Sequence, residues 1–281
     1  MTILILQGAS LSNQKAEMLA NQLEATISTQ SDFIELHTKQ AINNDQISAL
    51  RAQHNFDINC RPQNLDTNKI KLLVTDMDST LISIECIDEI ADFLNIKTKI
   101  ASITESAMRG EIDFETSLNQ RIELLKGLDT NALQQVYDER LTLNPGAEKM
   151  IAGLRSRNIK VALVSGGFTF FTERLKVRLN LDYTLANELA FSEGKLTGLS
   201  NSVIVGAQRK ADFLLQLCNE LSISPQQAVA MGDGANDLVM MGEAGLSIAY
   251  HAKPTVQKQA NTALNHSGLE GVLGLLGING E

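Results

Sequence analysis

The sequence predicts an α/β fold in which helices cover a parallel β-sheet, joined to a small α+β domain at the N-terminus. Two observations carry this prediction. From residue 69 onward, short apolar or β-branched runs alternate with amphipathic stretches, which is the pattern of a sheet covered by helices. Three of the runs, residues 72–75, 161–164 and 228–231, are apolar without alternation, as is typical of strands buried on both faces.

The first part of the chain, residues 1–68, is predicted to form the separate N-terminal domain. Residues 3–6 and 56–60 have the character of strands, and residues 16–23 carry apolar side chains at helical spacing. A polar linker over residues 61–69 follows. A unit of this size has little core of its own. We therefore expect it to pack on the main domain or on a second copy of the chain, as in a homodimer.

The main domain, residues 69–281, is predicted to contain an inserted helical subdomain at about residues 84–144. More than 60 residues separate the first two buried strands, whereas a crossover between parallel strands needs only about a dozen. Apolar residues recur at helical spacing over residues 87–94 and 118–125. The Asn-Pro-Gly break at residues 144–146 then returns the chain to the sheet.

Two further elements are predicted after the second buried strand. Residues 188–199 have the pattern of a β-hairpin that turns at Glu193-Gly194. Residues 211–218 carry apolar side chains at helical spacing, which places Lys210 at the start of a helix.

Composition and charge exclude several classes of protein. The chain of 281 residues has 24 basic and 33 acidic residues and a net charge of −9, which disfavours nucleic acids and anionic lipid as partners. The longest apolar run, residues 271–278, is interrupted by glycine and falls short of the ~20 residues that cross a bilayer. The first residues lack the basic and apolar segments of an export signal. We therefore expect a cytoplasmic protein with no nucleic-acid or membrane partner.

Polar residues follow each of the three buried strands. They are Asp76 and Asp78, then Ser165, Gly166 and Gly167, then Asp233, Asn236 and Asp237. Because ligands bind at the carboxyl ends of the strands in an open α/β sheet, we expect these loops to converge on one crevice. Two carboxylates ~4 Å apart would repel by roughly 4 kcal/mol, and a bound cation relieves that repulsion. A site of oxygen ligands favours Mg²⁺ over zinc.

Taken singly, these residues have ordinary explanations, and taken together they favour phosphate chemistry. An Asp-x-Asp pair is often a solvated turn, a helix lysine is often solvated, and Ser165 is also suited to capping a helix. No histidine or cysteine is arranged to attack a substrate, which leaves a carboxylate as the nucleophile. Such a nucleophile approaches a phosphate only when its charge is neutralised, for which we expect Mg²⁺, Lys210 and the amides of the glycine loop.

In their order along the chain, these motifs resemble the haloacid dehalogenase superfamily. The motifs are residues 76–80, residues 165–168, Lys210 and residues 232–237. Within the superfamily they are most similar to the branch that hydrolyses O-phospho-L-serine, the last step of serine biosynthesis. The resemblance covers about residues 70–260. It implies a Rossmann-like three-layer core with a helical cap, a Mg²⁺ cofactor and a small-molecule substrate.

The resemblance also implies catalytic and metal-binding roles. Asp76 would attack phosphorus to form an aspartyl phosphate, and Asp78 would protonate the leaving serine oxygen and then activate water. Mg²⁺ would be bound by Asp76, by the backbone oxygen of Asp78 and by Asp233, with Asp237 in support. In this role Asp78 must begin protonated. We expect the neighbouring negative charge of Asp76 to raise the pKa of Asp78, which favours the protonated form.

Substrate-binding roles follow from the same resemblance. Phosphate would be held by four core residues, Ser165, Gly166, Lys210 and Asn236. In the cap, Glu85 would bind the ammonium group of serine and Arg121 its carboxylate. An amino acid zwitterion requires one fixed charge of each sign, and arginine can bind a carboxylate through two hydrogen bonds.

Other functions stay open on the sequence. A related phosphatase or phosphotransferase for another small phosphorylated metabolite would keep the core motifs and would not need Glu85 and Arg121. A catalytically silent regulatory protein could sense an amino acid through its N-terminal domain. Longer members of the superfamily carry an amino-acid-binding domain of the ACT type there, whereas residues 1–68 show only a partial βαβ pattern. A dehalogenase would not need Asp78.

Overall fold

A computed structural model describes residues 1–109, 111–200 and 203–279. Its strands, in chain order, are β1 (Thr2–Gln7), β2 (Thr26–Thr29), β3 (Ile34–Thr38), β4 (Asp57–Cys60), β5 (Leu72–Thr75), β6 (Lys160–Phe168), β7 (Tyr183–Asn187), β8 (Leu189–Ser192), β9 (Lys195–Leu199), β10 (Ala228–Gly232), β11 (Leu246–Tyr250) and β12 (Thr262–Leu264). They form a six-stranded sheet, a four-stranded sheet and a two-stranded hairpin.

The helices surround these sheets. They are α1 (Asn13–Gln22), α2 (Asn44–Gln53), α3 (Cys86–Phe93), α4 (Lys97–Met108), α5 (Phe114–Leu125), α6 (Thr130–Glu139), α7 (Ala147–Ser156), α8 (Thr169–Leu179), α9 (Ala207–Glu220), α10 (Leu238–Glu243), α11 (Pro254–Gln257) and α12 (Gly271–Leu275). Within the described ranges, none of these helices has both the length and the apolar surface required to traverse a membrane.

The main sheet is parallel throughout, with the strand order β12-β11-β10-β5-β6-β7. Leu73 packs into the apolar cluster on one face of β5, and Leu72 and Val74 pack into the cluster on the other. A strand buried on both faces explains why its sequence shows no alternation. The predicted α/β fold with a helix-covered parallel sheet is confirmed.

Strand β5 lies between β10 and β6, so the three buried strands seen in the sequence are neighbours. The chain leaves β5 toward β6 on one side and reaches β10 on the other. The order of the strands therefore reverses at β5, and a reversal of this kind opens a crevice at the carboxyl ends of the strands. The topology alone places the carboxyl ends of β5, β6 and β10 side by side.

Helices α3 to α6 form the cap between β5 and β6. The predicted apolar face of α5 is buried, with Leu118, Ile122 and Leu125 exposed by at most 3%. One detail of the prediction is wrong. Leu94 lies just beyond the end of α3 and is 37% exposed, because the next residue, Asn95, adopts a left-handed φ of 56° and turns the chain away from the helix axis.

The predicted hairpin is confirmed as β8 and β9, which pair antiparallel. Glu193 and Gly194 connect them with φ angles of 50° and 73°. Two consecutive left-handed residues are the geometry that suits the twist of a two-residue hairpin, and glycine is favoured there because it has no Cβ.

The N-terminal domain has the order β1-α1-β2-β3-α2-β4, with an antiparallel sheet arranged β2-β3-β1-β4. This is a ferredoxin-like arrangement. The sequence predicted β1, α1 and β4 and missed the rest. Strand β2 is mostly exposed and has no apolar pattern. Strand β3 could have been found, since Ile34, Leu36 and Thr38 are buried while the intervening residues are not.

Buried polar side chains on β4 join the N-terminal domain to the core of the same chain. Asp57 is 2% exposed, and its carboxylate accepts hydrogen bonds of 2.7–3.2 Å from the backbone N–H groups of residues 265–267. Asn59 binds both backbone groups of Ala263, at 2.8 and 2.9 Å. The two domains are therefore held together by specific hydrogen bonds as well as by apolar packing.

We expect the substitution Asp57→Ala to lower the free energy of unfolding by about 3 kcal/mol, because three backbone N–H groups, one of them fully buried, lose a charged acceptor. Urea denaturation measures the change. The matched control, Glu17→Ala, removes an exposed carboxylate from α1 of the same domain and should shift stability by less than about 0.5 kcal/mol. Equal shifts in the two variants would contradict the role of Asp57.

Candidate active site

The turn after β5 brings a core carboxylate close to the cap. The Ile82 N–H group donates to the Met77 carbonyl at 3.0 Å, and Ser79 inside this turn has a left-handed φ of 54°. That conformation costs a residue with a side chain about 1 kcal/mol. The Ser79 hydroxyl donates to Glu85 Oε1 at 2.6 Å. The turn therefore places Asp78 beside Glu85, the residue that precedes α3.

Three carboxylates from two loops form a compact cluster. One oxygen from each of Asp76, Asp233 and Asp237 lies within 4.8 Å of the others. Burial and then the charge of Asp237 raise the pKa of Asp233 to about 6, and the same two causes raise the pKa of Asp76. Burial and mutual repulsion thus disfavour the ionised carboxylates, and the all-oxygen donor set fits a hard divalent cation.

Lys210 contacts two of these three carboxylates and is 1% exposed. Its Nζ donates to Asp76 Oδ1 and to Asp237 Oδ1, both at 2.7 Å. Burial alone would lower the pKa of Lys210, but the charges of Asp237 and Asp76 outweigh it and raise that pKa above its usual value. The ammonium group is therefore charged, and it sits beside the carboxylate predicted to be the nucleophile.

Asp237 holds this arrangement in place with both of its oxygens. Oδ1 accepts from Lys210, and Oδ2 accepts from the Gly234 N–H group at 3.1 Å. A Cβ at Gly232 would collide with the Asp237 carboxylate. The glycine at the end of β10 is thus required for close approach, and Asp237 is suited to orienting Lys210 and the loop.

Asp78 is not one of the three clustered carboxylates and has other partners. Its carboxylate accepts from the Cys86 N–H group at 3.0 Å and from the Ser165 hydroxyl at 3.5 Å. Burial raises the pKa of Asp78, and the hydrogen bonds from Cys86 offset part of the rise. The pKa of Asp78 is raised, as predicted. The main cause is burial, however, and not the charge of Asp76. A protonated Asp78 is suited to donate a proton.

The glycine loop that the sequence predicted at residues 165–167 is the irregular end of β6, where the pairing with β7 shifts register. Ser165 is fully buried, and its hydroxyl accepts from the Gly167 N–H group at 2.8 Å. A Cβ at Gly167 would lie 3.0 Å from Asp78 Oδ2. Glycine there keeps the space between the loop and Asp78 open.

Asn187, which sequence reasoning missed, joins this loop to the segment before α9. Its Nδ2 donates to the Gly166 carbonyl and its Oδ1 accepts from the Val205 N–H group, both at 2.8 Å. It is 2% exposed at the end of β7. The sequence signal that could have identified Asn187 is an amide side chain at the carboxyl end of a strand. Asn236, the remaining predicted core residue, is half-buried in the turn between β10 and α10, beside Gly234.

Glu85 and Arg121 bring opposite charges from the cap toward Asp78. The Glu85 side chain reaches solvent, but protein atoms crowd its carboxylate, and this desolvation together with the charge of Asp78 raises its pKa to about 7. Burial lowers the pKa of Arg121, whereas the charges of Asp88, Glu85 and Asp78 raise it. These mutual effects show that the carboxylates lie within electrostatic reach of the guanidinium.

Phe114, also missed from the sequence, packs over the phosphate-binding loop predicted at Gly166. A Cβ at Gly166 would lie 3.0 Å from Phe114 Cζ, and one at Gly206 would lie 3.5 Å from Phe114 Cδ1. Phe114 is the first residue of α5, after Asp113, whose side chain accepts from the Thr116 N–H group at 2.7 Å. The capped start of α5 therefore presents an aromatic ring to the two glycines.

The sequence motifs and this geometry agree with a comparison against protein families. A family model described as a haloacid dehalogenase-like hydrolase matches residues 70–245. The chain belongs to this family of hydrolases. The matched segment contains β5, β6, β10 and the whole cap, and therefore every residue predicted for the site.

Individual members of the haloacid dehalogenase-like family match over most of the chain. A phosphoserine phosphatase from Polaromonas sp. (strain JS666) is 51% identical over 224 residues, covering 78% of this chain and 95% of the relative. A family hydrolase from Salmonella enterica serovar Typhi superposes with a TM-score of 0.90 at 33% identity, covering 98% of this chain and 99% of its own. The N-terminal domain is thus shared with a solved member.

A further solved structure bears on the chemistry of the family. It is a phospho-aspartyl intermediate analogue of phosphoserine phosphatase, with a TM-score of 0.68 and 38% identity, covering 73% of this chain and 97% of its own.

Proposed function

We propose that this protein hydrolyses O-phospho-L-serine to L-serine and phosphate, with Mg²⁺ as cofactor. The observation that carries the proposal is the proximity of two features. A buried lysine and carboxylate cluster lies at the sheet edge, and the acidic Glu85 and the basic Arg121 of the cap lie within electrostatic reach of the neighbouring Asp78. The similarity to phosphoserine phosphatases supports the same substrate.

Mg²⁺ would be held by Asp76, Asp233 and the backbone oxygen of Asp78, with Asp237 in support. The raised pKa values of Asp76 and Asp233 support this assignment, since burial and the charge of Asp237 disfavour their ionised forms and a bound cation would offset both effects. When bound, the ion supplies neutralisation of the phosphoryl oxygens.

The first half of the reaction transfers the phosphoryl group to the enzyme. A carboxylate oxygen of Asp76 forms a bond to phosphorus while the bond between phosphorus and the serine oxygen breaks. Asp78 gives its proton to that oxygen, so serine leaves as the neutral alcohol. Lys210, Ser165 and the amide of Gly166 hold the phosphoryl oxygens and stabilise the charge that develops on them.

The second half regenerates the enzyme. Asp78, now ionised, accepts a proton from a water molecule whose oxygen attacks the phosphorus of the aspartyl phosphate. The bond between phosphorus and Asp76 breaks, and phosphate leaves with Asp76 restored. Burial keeps the pKa of Asp78 high, which suits a group that gives and takes one proton per cycle.

The cap selects the substrate. Glu85 binds the ammonium group of serine and Arg121 its carboxylate, while Phe114 covers the phosphate loop. Closure of the cap over the cleft keeps bulk water away from the transfer step.

The alternative functions are not favoured. A phosphatase for a substrate without amino and carboxylate groups would not need the opposed charges of Glu85 and Arg121. A silent sensor would not need the costly burial of Lys210 between two carboxylates. The cytoplasmic location and a homodimer formed through the N-terminal domain stay predictions.

The proposed function is tested by phosphate release from O-phosphoserine. With Mg²⁺ the chain is expected to be active, and EDTA should abolish activity until Mg²⁺ is restored. The substitution Arg121→Glu should lower kcat/KM for O-phosphoserine by about 100-fold or more, because it replaces the partner of the substrate carboxylate with a repelling charge.

The control for this test is Lys126→Glu, an equal reversal of charge at the exposed end of the same helix. It should leave kcat/KM within about twofold. If wild type releases no phosphate, the proposed activity is wrong. If wild type is active and both variants match it, the proposed substrate contact is wrong.

The pKa of Glu85 predicts a pH dependence for substrate binding. The ionised carboxylate binds the ammonium group, and its pKa is about 7 in the free protein. We therefore expect KM to rise as pH falls below 7, by about tenfold per pH unit at the limit. In Glu85→Gln this dependence should disappear at a uniformly higher KM. A retained pH profile in that variant would assign the titration to another group.

A further inference from the structure

Two linkers join the cap to the core and run side by side. The outgoing linker covers residues 79–85 and the returning linker residues 141–146. Ile82 and Leu143 form an antiparallel bridge, and the Ser83 N–H group donates to the Thr142 carbonyl at 3.0 Å. Any movement of the cap relative to the sheet must pass through this pair of linkers.

Asn144 on the returning linker binds three consecutive carbonyl groups of the outgoing one. Its backbone N–H group donates to the Leu81 carbonyl at 3.0 Å. Its side-chain Nδ2 donates to the carbonyls of Thr80 and Ile82 at 2.8 and 3.1 Å. A primary amide nitrogen has two N–H donors, which matches two acceptors on the same edge of a chain.

The bound segment connects the groups that carry the chemistry. The Thr80 side chain is fully buried and donates to Asp233 Oδ1 at 3.4 Å. One residue earlier, Ser79 donates to Glu85, and Asp78 precedes it in the same turn. The carbonyls that Asn144 holds therefore lie between a core carboxylate and the start of the cap.

We propose that Asn144 is a positioning residue that sets the cap, and with it Glu85, relative to the phosphate site of the core. The proposal rests on the proposed function for its kinetic consequence. Asn144 touches neither substrate nor the reacting atoms in this assignment, and it acts through the backbone of residues 80–82. Free rotation of the outgoing linker would move Glu85 away from the ammonium group while leaving the phosphate loop unchanged.

The kinetic test compares substrate binding with phosphate binding. In Asn144→Ala the KM for O-phosphoserine should rise about tenfold, because the cap contacts are misplaced. The inhibition constant of inorganic phosphate, which contacts core residues alone, should stay within about twofold. If the substitution only reduced the fraction of folded enzyme, kcat would fall, while KM and the inhibition constant of phosphate would both stay unchanged. Asn144→Asp should raise KM further, since a carboxylate facing carbonyl oxygens cannot donate.

The matched control is Ser83→Ala, which removes the exposed hydrogen bond between the Ser83 and Thr142 hydroxyls across the same two linkers. It should leave KM unchanged. Asn144→Ser, which keeps one donor, serves if the alanine variant does not fold, and its KM should lie between wild type and the expected alanine value.

Hydrogen–deuterium exchange tests the same linkers without substrate. Amide exchange at residues 80–85 should speed up about tenfold or more in Asn144→Ala and stay unchanged in Ser83→Ala. Equal KM and exchange in the two variants would overturn the proposal. Inactive wild type would instead refute the proposed function, and the exchange arm would still decide whether Asn144 holds the linkers.

Discussion

Asp76→Asn is expected to abolish hydrolysis of O-phosphoserine, with kcat falling by on the order of 10⁴-fold or more. An amide oxygen is a poor nucleophile toward phosphorus, and the variant cannot form the aspartyl phosphate. The stability of the fold should not decrease. Burial and the charge of Asp237 raise the pKa of Asp76, so the ionised carboxylate is disfavoured in the folded chain, and a neutral side chain of the same shape relieves that cost.

Two measurements test this expectation. Single-turnover assays with labelled O-phosphoserine should trap phosphoprotein in wild type and none in Asp76→Asn. Thermal unfolding without divalent cations should give a Tm for the variant at least as high as that of wild type. The control Asp212→Asn changes an exposed carboxylate on α9 and should keep full activity. Residual activity of Asp76→Asn within about tenfold of wild type would refute Asp76 as the nucleophile.

Lys210→Met is expected to lower both activity and stability. The substitution removes the ammonium group that binds Asp76 and Asp237 at 2.7 Å. Removing one partner from a buried ion pair costs about 3–5 kcal/mol, because the remaining charges stay buried without compensation. Activity should fall by about 10³-fold, since the phosphoryl oxygens lose a fixed positive charge. Urea denaturation and steady-state kinetics measure the two effects.

A second substitution separates the two effects. Adding Asp237→Asn to Lys210→Met removes one of the uncompensated carboxylates, so the double variant should recover a large part of the lost stability. It should recover no activity, because the missing cation is not replaced. Additive losses of stability in the double variant would show that Lys210 and Asp237 do not form the energetic pair that their geometry indicates.

These expectations share one physical origin. One oxygen from each of three carboxylates lies within 4.8 Å of the others, and two of these residues, Asp76 and Asp237, are buried. Such a site is stabilised by Lys210, a bound cation would stabilise it further, and without both it is unfavourable for folding. Proteins retain arrangements of this kind where the chemistry needs them, at a cost in stability.

The fold of the main domain could be predicted because its buried strands have a distinctive sequence pattern. Residues 72–75 and 228–231 are apolar without alternation and are followed by Asp-rich turns. Parallel strands place their carboxyl ends at one edge, so the convergence of these turns follows from topology. The meeting of Asp76 and Asp233 was therefore predictable before any coordinate was known.

The parts that escaped prediction have local sequences without a distinctive signal. Strand β2 is largely exposed and carries no apolar pattern. Three residues that matter for the site have no distinctive sequence context, and each depends on a partner distant in the chain. Asn187 contacts Val205, Asn144 contacts Leu81, and Phe114 lies against Gly166. Contacts of this kind depend on how whole elements pack.

The amino-acid sequence by itself determined which polar segments of the core come together at one edge of the sheet, because the ends of buried strands constrain where the residues that follow them lie. The tertiary structure alone decided the state of those side chains. Burial rather than the neighbouring charge of Asp76 is the main cause of the raised pKa of Asp78, and Lys210 is held between two carboxylates. Desolvation and hydrogen bonding depend on every atom packed around a group, and most of those atoms belong to residues distant in the chain.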